Sequence, residues 1–141
     1  MLAKVEKTLQ GAAIYDILVS ALLIVPPLVP VVLELIALAD SWFGFSTSFV
    51  PPDRTTVFFI NHAAASVVAW AIIRILRPSR EALLVDAGYR VALVVCQVWA
   101  VLEGATPILL GISAVLLLIA GIEWLVWRKF DPKTRPATAT A

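Results

Sequence analysis

The stretch from Arg74 to Arg90, RILRPSREALLVDAGYR, decides how this chain is arranged. Basic side chains crowd together in it, and long apolar runs leave it on both sides. Arg77 precedes Pro78, and a residue before proline disfavours the helical conformation. We therefore predict a tight hairpin between two membrane-spanning helices. It should lie in the cytoplasm, because loops rich in Lys and Arg stay on that side of a membrane.

The composition argues against an ordinary soluble domain. Of the 141 residues, 61% are hydrophobic and 15% are charged, whereas soluble domains carry roughly 25% charged residues. A core cannot hide this excess of apolar surface, because a small domain leaves about a third of its unfolded surface exposed. We therefore predict an all-α integral membrane protein whose solvent is the lipid bilayer.

The charged and metal-binding residues limit the partners. A formal net charge of +1 gives no field that would attract nucleic acid, so no nucleic-acid partner is predicted. Cys96 is the only cysteine and His62 the only histidine, which excludes an internal disulfide and bis-histidine haem ligation within one chain. We predict no cofactor and no metal site.

Four segments are apolar enough to cross a hydrocarbon layer about 30 Å thick, which takes about 20 helical residues. Pro26, Pro27 and Pro30 predict a kink in the first segment, because proline removes a backbone donor. The chain after it either completes that span or lies in the outer interface, and Asp53 is predicted to cap the second helix. The predicted transmembrane domain covers residues 1–130, with helices at about 8–30, 55–76, 81–103 and 107–128, an interfacial segment at about 31–52, and a disordered cytoplasmic tail at 131–141.

The distribution of Lys and Arg predicts the orientation of this four-helix bundle. An even number of spans puts both termini on the side of the hairpin, where ten basic residues fall, against Arg54 alone on the other side. Both termini are therefore predicted to be cytoplasmic. We expect the protein to lie in the inner membrane of a bacterial cell. The first apolar run is far longer than the roughly 7–15 residues of a signal-peptide core, so we expect it to remain as a helix.

Ionisable side chains inside spans are the first candidates for function, because each costs several kcal/mol unless it is paired or hydrated. Asp86 and Arg90 are four residues apart and share a helical face. One hypothesis is that Asp16, Asp86 and Arg90 form a relay or a headgroup-binding pocket. In the hypothesis we favour, Arg90 bridges Asp86 and Asp16, and Arg74 extends to lipid phosphates. The candidates in the cytoplasmic half are Asp16, Arg74, Asp86, Arg90 and Glu123.

A second polar group is predicted in the outer half of the bundle. His62 could shuttle protons or ligate a metal or chlorin of a neighbouring chain, since its pKa is near 6.5 before perturbation. The interpretation we favour is a hydrogen bond across the bundle to Glu34, Gln97 or Glu103. The candidates in this group are Glu34, Asn61, His62, Gln97 and Glu103.

Small residues predict where helices meet, because lipid provides no hydrophobic drive between them. In the fourth predicted helix Gly111, Ala114 and Gly121 fall on one side, which we expect to face the bundle. The opposite side carries bulky residues that we expect to face lipid or a partner subunit: Ile112, Leu116 and Ile119.

No nucleophile elbow, phosphate-binding loop or dinucleotide fingerprint is present in the sequence. We therefore predict a non-enzymatic accessory or assembly subunit of a larger membrane complex, whose partners are the bilayer and other membrane subunits. The alternative is a binding or transport protein for a small lipophilic molecule or a proton, with Asp16, His62, Arg90 and Gln97 lining a cavity. An intramembrane enzyme is less favoured, because Asp16 and His62 are expected in opposite leaflets.

Overall fold

The computed structural model describes residues 2–129, and within that range every element of regular secondary structure is a helix, with no strand. A 3-10 turn, Ala21–Ile24, follows the first α-helix. The five α-helices are α1 (Leu2–Ser20), α2 (Leu28–Trp42), α3 (Arg54–Leu76), α4 (Arg80–Leu102) and α5 (Ile108–Lys129).

Four helical segments are long and apolar enough to cross a membrane, which confirms the number predicted from the sequence. Each has 22 or 23 residues, about 33–35 Å of helix at 1.5 Å per residue. The segments are Ala3–Ile24, Arg54–Leu76, Arg80–Leu102 and Ile108–Lys129. The first helix begins at Leu2 rather than near residue 8, and its α-helical part ends at Ser20 rather than near residue 30.

The early start of α1 has a packing reason. Val5 and Leu9 are buried against Leu83 at the beginning of α4 and Val126 near the end of α5. Burial of a large aliphatic side chain contributes about 1.5–3 kcal/mol. These contacts offset the cost of ordering the first turns of α1, and they bring its N-terminal part together with the hairpin end of α4 and the last turns of α5.

Pro26 and Pro27 lie where the α-helix is interrupted between Ser20 and Leu28. Pro27 precedes α2, and Pro30 sits in the first turn of α2, where a missing backbone donor is tolerated. The carbonyl oxygen of Leu23 accepts a hydrogen bond from Asn61 Nδ2 at 2.6 Å, so α3 satisfies an acceptor that the interruption frees. The kink angle and the placement of α2 at an interface stay predictions.

A side chain caps the N-terminus of each of the two helices joined by the predicted hairpin, α3 and α4. Asp53 accepts a hydrogen bond from the Thr56 amide at 2.6 Å, which confirms the predicted cap of α3. Ser79 caps α4 by accepting from the Ala82 amide at 3.1 Å. Only residues 77–79 separate α3 from α4, so the predicted tight turn is confirmed.

The buried face of α5 differs from the predicted one. Gly111, Ala114 and Gly121 are exposed, whereas Leu116, predicted to face lipid or a partner subunit, is buried within the bundle. The residues of α5 that face the other helices are Ser113, Leu116, Ala120, Glu123 and Val126. The prediction was wrong because it followed residue size alone, whereas the face that carries the charged Glu123 must turn inward.

Candidate functional site

Five charged side chains from four helices meet inside the bundle, and we refer to them as the charge cluster. Each of them is buried, with exposed fractions of 0% for three of them, 2% for Arg90 and 9% for Asp16. The members are Asp16 from α1, Arg74 from α3, Asp86 and Arg90 from α4, and Glu123 from α5. The structure thus brings together all five candidates of the first predicted group.

Arg90 forms the centre of the charge cluster. Its Nη1 and Nη2 donate to the two carboxylate oxygens of Asp16 at 3.0 and 2.8 Å, and Nη2 also lies 3.1 Å from Asp86 Oδ2. A two-point guanidinium–carboxylate contact is among the strongest polar interactions in proteins and fixes orientation as well. Arg90 therefore bridges α1 and α4 in the way that the favoured hypothesis describes.

Arg74 does not extend to the surface, so that part of the prediction was wrong. Its two terminal nitrogens donate to Asp16 and Asp86, and its side chain is completely inaccessible. A buried carboxylate without a counter-charge is costly in a low-dielectric interior. With Arg90 alone, two aspartates would share one cation, so Arg74 gains more by turning inward than by reaching lipid phosphates.

Asp86 is held by α3 as well as by its own helix. The indole N–H of Trp70 donates to Asp86 Oδ1 at 3.0 Å, beside the contacts from both arginines. Trp70 also lines a cavity of about 250 Å³ between α3 and α4, with Ser66, Val67, Val85 and Tyr89. Nothing in the sequence pattern singled out Trp70, because a tryptophan in an apolar helix has no distinguishing neighbours.

Glu123 completes the charge cluster from α5. Its Oε2 lies 3.5 Å from Arg90 Nε, an ion pair at a longer distance than the contacts to Asp16. Within residues 2–129, neither of its carboxyl oxygens has a hydrogen-bond partner. Hydrogen-bonded ion pairs therefore connect α1, α3 and α4 within the charge cluster. The connection to α5 is instead a longer ion pair without a hydrogen bond.

The second predicted group does not converge. Gln97 Oε1 accepts a hydrogen bond from Ser113 Oγ at 2.7 Å, which joins α4 to α5, and Asn61 binds the main chain at Leu23. Glu34 and Glu103 are exposed, on α2 and at the end of α4. The predicted outer-half site is thus dispersed over separate helix contacts.

His62 has a different environment from the one predicted. It is exposed on α3, and its ring stacks on Phe58 with centroids 6.1 Å apart. In the described part of the chain it forms no hydrogen bond to Glu34, Gln97 or Glu103. The predicted bond across the bundle was wrong, since the histidine lies on an outer face of its helix.

A group of hydrogen bonds that the sequence analysis did not predict lies at the end of the bundle opposite the turn between α3 and α4. Asp40, buried at the end of α2, accepts hydrogen bonds from the Thr47 amide at 3.1 Å, from Thr47 Oγ1 at 2.9 Å and from the Thr106 hydroxyl. Burial raises the pKa of Asp40, but these hydrogen bonds outweigh it and hold the pKa below the ordinary value of 3.8. Asp40 therefore fastens the loop after α2 to the turn before α5.

The described residues contain no group of three or more His, Cys, Asp or Glu side chains arranged to hold a metal ion. Comparison of the chain with protein-family models, with curated proteins and with solved structures finds no match. The function must therefore be inferred from the geometry of the site, which is a network of buried ionisable side chains that joins four helices.

We predict that Arg90→Ala lowers the amount of folded protein in membranes far more than His62→Ala does. Removing one partner of a buried ion pair costs about 3–5 kcal/mol, and Asp16 and Asp86 would then share Arg74 alone. His62 is exposed and stacks only on Phe58. The measurement is quantitative immunoblotting of isolated membranes, supported by thermal melting of each variant in detergent.

Arg54→Ala is the matched control, because Arg54 is exposed at the start of α3. It removes an arginine without touching the charge cluster, so its membrane level should follow that of the wild type. Equal levels for the Arg90 and His62 variants would contradict a structural role for the charge cluster.

Proposed function

We propose that this chain is a multi-pass protein of the cell (inner) membrane with both termini in the cytoplasm. We further propose that it is a non-enzymatic accessory or assembly subunit of a larger membrane complex.

The distribution of residue types between interior and surface supports the membrane assignment. The large side chains with the lowest exposure include Arg74, Arg90 and Glu123, whereas Leu76 and Leu102 are more than 70% exposed. Soluble proteins have the reverse arrangement, because water solvates charge and excludes apolar surface. Charged groups inside and leucines outside are the arrangement that a hydrocarbon solvent favours.

The arrangement of basic residues supports the orientation. Val5 of α1, Leu83 of α4 and Val126 of α5 pack together, so Lys4, Lys7, Arg80 and Lys129, their neighbours in sequence, belong to one end of the bundle. A membrane face rich in Lys and Arg is retained in the cytoplasm.

The observation that carries the subunit proposal is that the buried charges bind one another. Arg74 and Arg90, the best candidates for holding a substrate, donate to carboxylates of the same chain. The two buried arginines are therefore committed to joining helices. The exposed surface of the bundle includes large apolar side chains, such as Leu38 and Trp42 of α2, that could contact lipid or other subunits.

The alternative of a carrier requires Asp16, His62, Arg90 and Gln97 to line one cavity. Asp16 and Arg90 are buried in the charge cluster, Gln97 binds Ser113, and His62 is exposed on α3. This separation favours the subunit proposal over the carrier. It also weakens the proposal of an intramembrane enzyme, which needs an acid and a base side by side.

The orientation predicts the labelling of single cysteines placed in the two connecting segments. In a Cys96→Ala background, Ser48→Cys should react with a membrane-impermeant maleimide in intact spheroplasts, and Arg77→Cys should react only after lysis. Both positions are exposed, so access from the correct side is the limiting factor. Labelling of residue 77 in intact spheroplasts and of residue 48 only after lysis would contradict the proposed topology.

The subunit proposal predicts a stable complex after gentle solubilisation. On blue-native electrophoresis the tagged chain should migrate well above its own mass of 15.3 kDa plus detergent, together with other membrane polypeptides identified by mass spectrometry. The same sample in a dissociating detergent is the control and should lose the high-mass species. Migration of the chain alone, or only as a homomer, would contradict the proposal.

A further inference from the structure

The charge cluster holds more carboxyl groups than guanidinium groups. Among the described residues it has Arg74 and Arg90 against Asp16, Asp86 and Glu123. The guanidinium hydrogen bonds within it all go to the two aspartates. Two arginines and two aspartates therefore form a neutral set of four, and Glu123 is the additional carboxyl.

The surroundings of Glu123 do not suit an ionised carboxylate. The residue is 0% exposed, and neither carboxyl oxygen has a hydrogen-bond partner among residues 2–129. The nearest guanidinium contact is Arg90 Nε at 3.5 Å, and Arg90 already neutralises the aspartates. An extra negative charge in a low-dielectric interior costs several kcal/mol, and a proton on the carboxyl removes that cost.

The neighbours of Glu123 offer that proton an acceptor. The carboxyl groups of Glu123 and Asp86 meet at the same guanidinium, since Asp86 Oδ2 lies 3.1 Å from Arg90 Nη2 and Glu123 Oε2 lies 3.5 Å from Arg90 Nε. Two ionised carboxylates repel, whereas a protonated carboxyl donates an O–H to an ionised one. Among residues 2–129, the other ionisable groups around the charge cluster are Asp16 and Tyr15 from α1, Arg74 from α3, and Arg90 and Tyr89 from α4.

We propose that the charge cluster is a binding site for one proton, which Glu123 holds at neutral pH and donates as a hydrogen bond to Asp86. The bound proton makes the charge cluster electrically neutral and joins α5 to α4. Glu123 is 0% exposed, and a proton can bind its carboxyl group without displacing the surrounding side chains. This site goes beyond the proposed subunit role and does not depend on it.

Infrared spectroscopy of the full-length protein tests the proposal. The chain is purified in a maltoside detergent, which has no ester carbonyl to overlap the signal of a protonated carboxyl group. At neutral pH the wild type should show the carbonyl stretch of one buried protonated carboxyl, and Glu123→Gln should lose that band completely. Glu103→Gln is the matched control, because Glu103 is exposed at the end of α4, and it should keep the band.

Every outcome of this experiment decides the proposal. No protonated-carboxyl band in the wild type, or a band that persists in Glu123→Gln, would overturn it. The melting temperature gives a second readout, because glutamine has the shape of the protonated acid and can donate the same hydrogen bond. Glu123→Gln should therefore melt close to the wild type. A failure of this variant alone to fold would show that glutamine does not replace the carboxyl group as a protonated acid requires, and would also overturn the proposal.

Discussion

The interaction on which the rest of this structure depends is the pairing of two buried arginines with two buried aspartates. Arg74 and Arg90 each contact both Asp16 and Asp86. In a low-dielectric interior an unpaired member would be far more costly than the pair, so α1, α3 and α4 can dock only with these faces together. Apolar packing between helices in lipid is far less selective, since a leucine gains little by exchanging a lipid neighbour for a protein one.

This requirement also explains the arrangement of the other helices. The short turn at residues 77–79 joins the end of α3 to the start of α4, and the Arg74 side chain reaches from α3 to Asp86 on α4. At the far end Asp40 fastens the loop after α2 to Thr106 before α5, so that α5 is positioned at its beginning by Asp40 and near its end by Glu123. Removing one partner from a buried network of this kind is strongly destabilising, because it leaves an uncompensated buried charge.

Much of the fold could be predicted from local signals in the sequence, and the charge cluster could be predicted in part. Asp53 and the Arg77-Pro78 pair mark helix boundaries, because capping and proline geometry act within a few residues. Contacts between distant residues could not be derived in the same way. Arg74 had two chemically reasonable destinations, lipid phosphate or buried carboxylate, and only the position of Asp16 on another helix decides between them. The bond from Thr106 to Asp40 spans 66 residues and has no sequence signature.

A double-mutant cycle between Asp16 and Arg90 tests the central claim most directly, with the free energy of unfolding measured for the wild type, Asp16→Asn, Arg90→Gln and the double variant in bicelles. If the two side chains hold α1 against α4, the effects are not additive, and the coupling lies within the range of about 0.5–3 kcal/mol seen for contacting residues. A control cycle that pairs Arg90→Gln with Asp53→Asn, at the exposed cap of α3, should be additive. Additivity of the Asp16 and Arg90 substitutions would contradict the account.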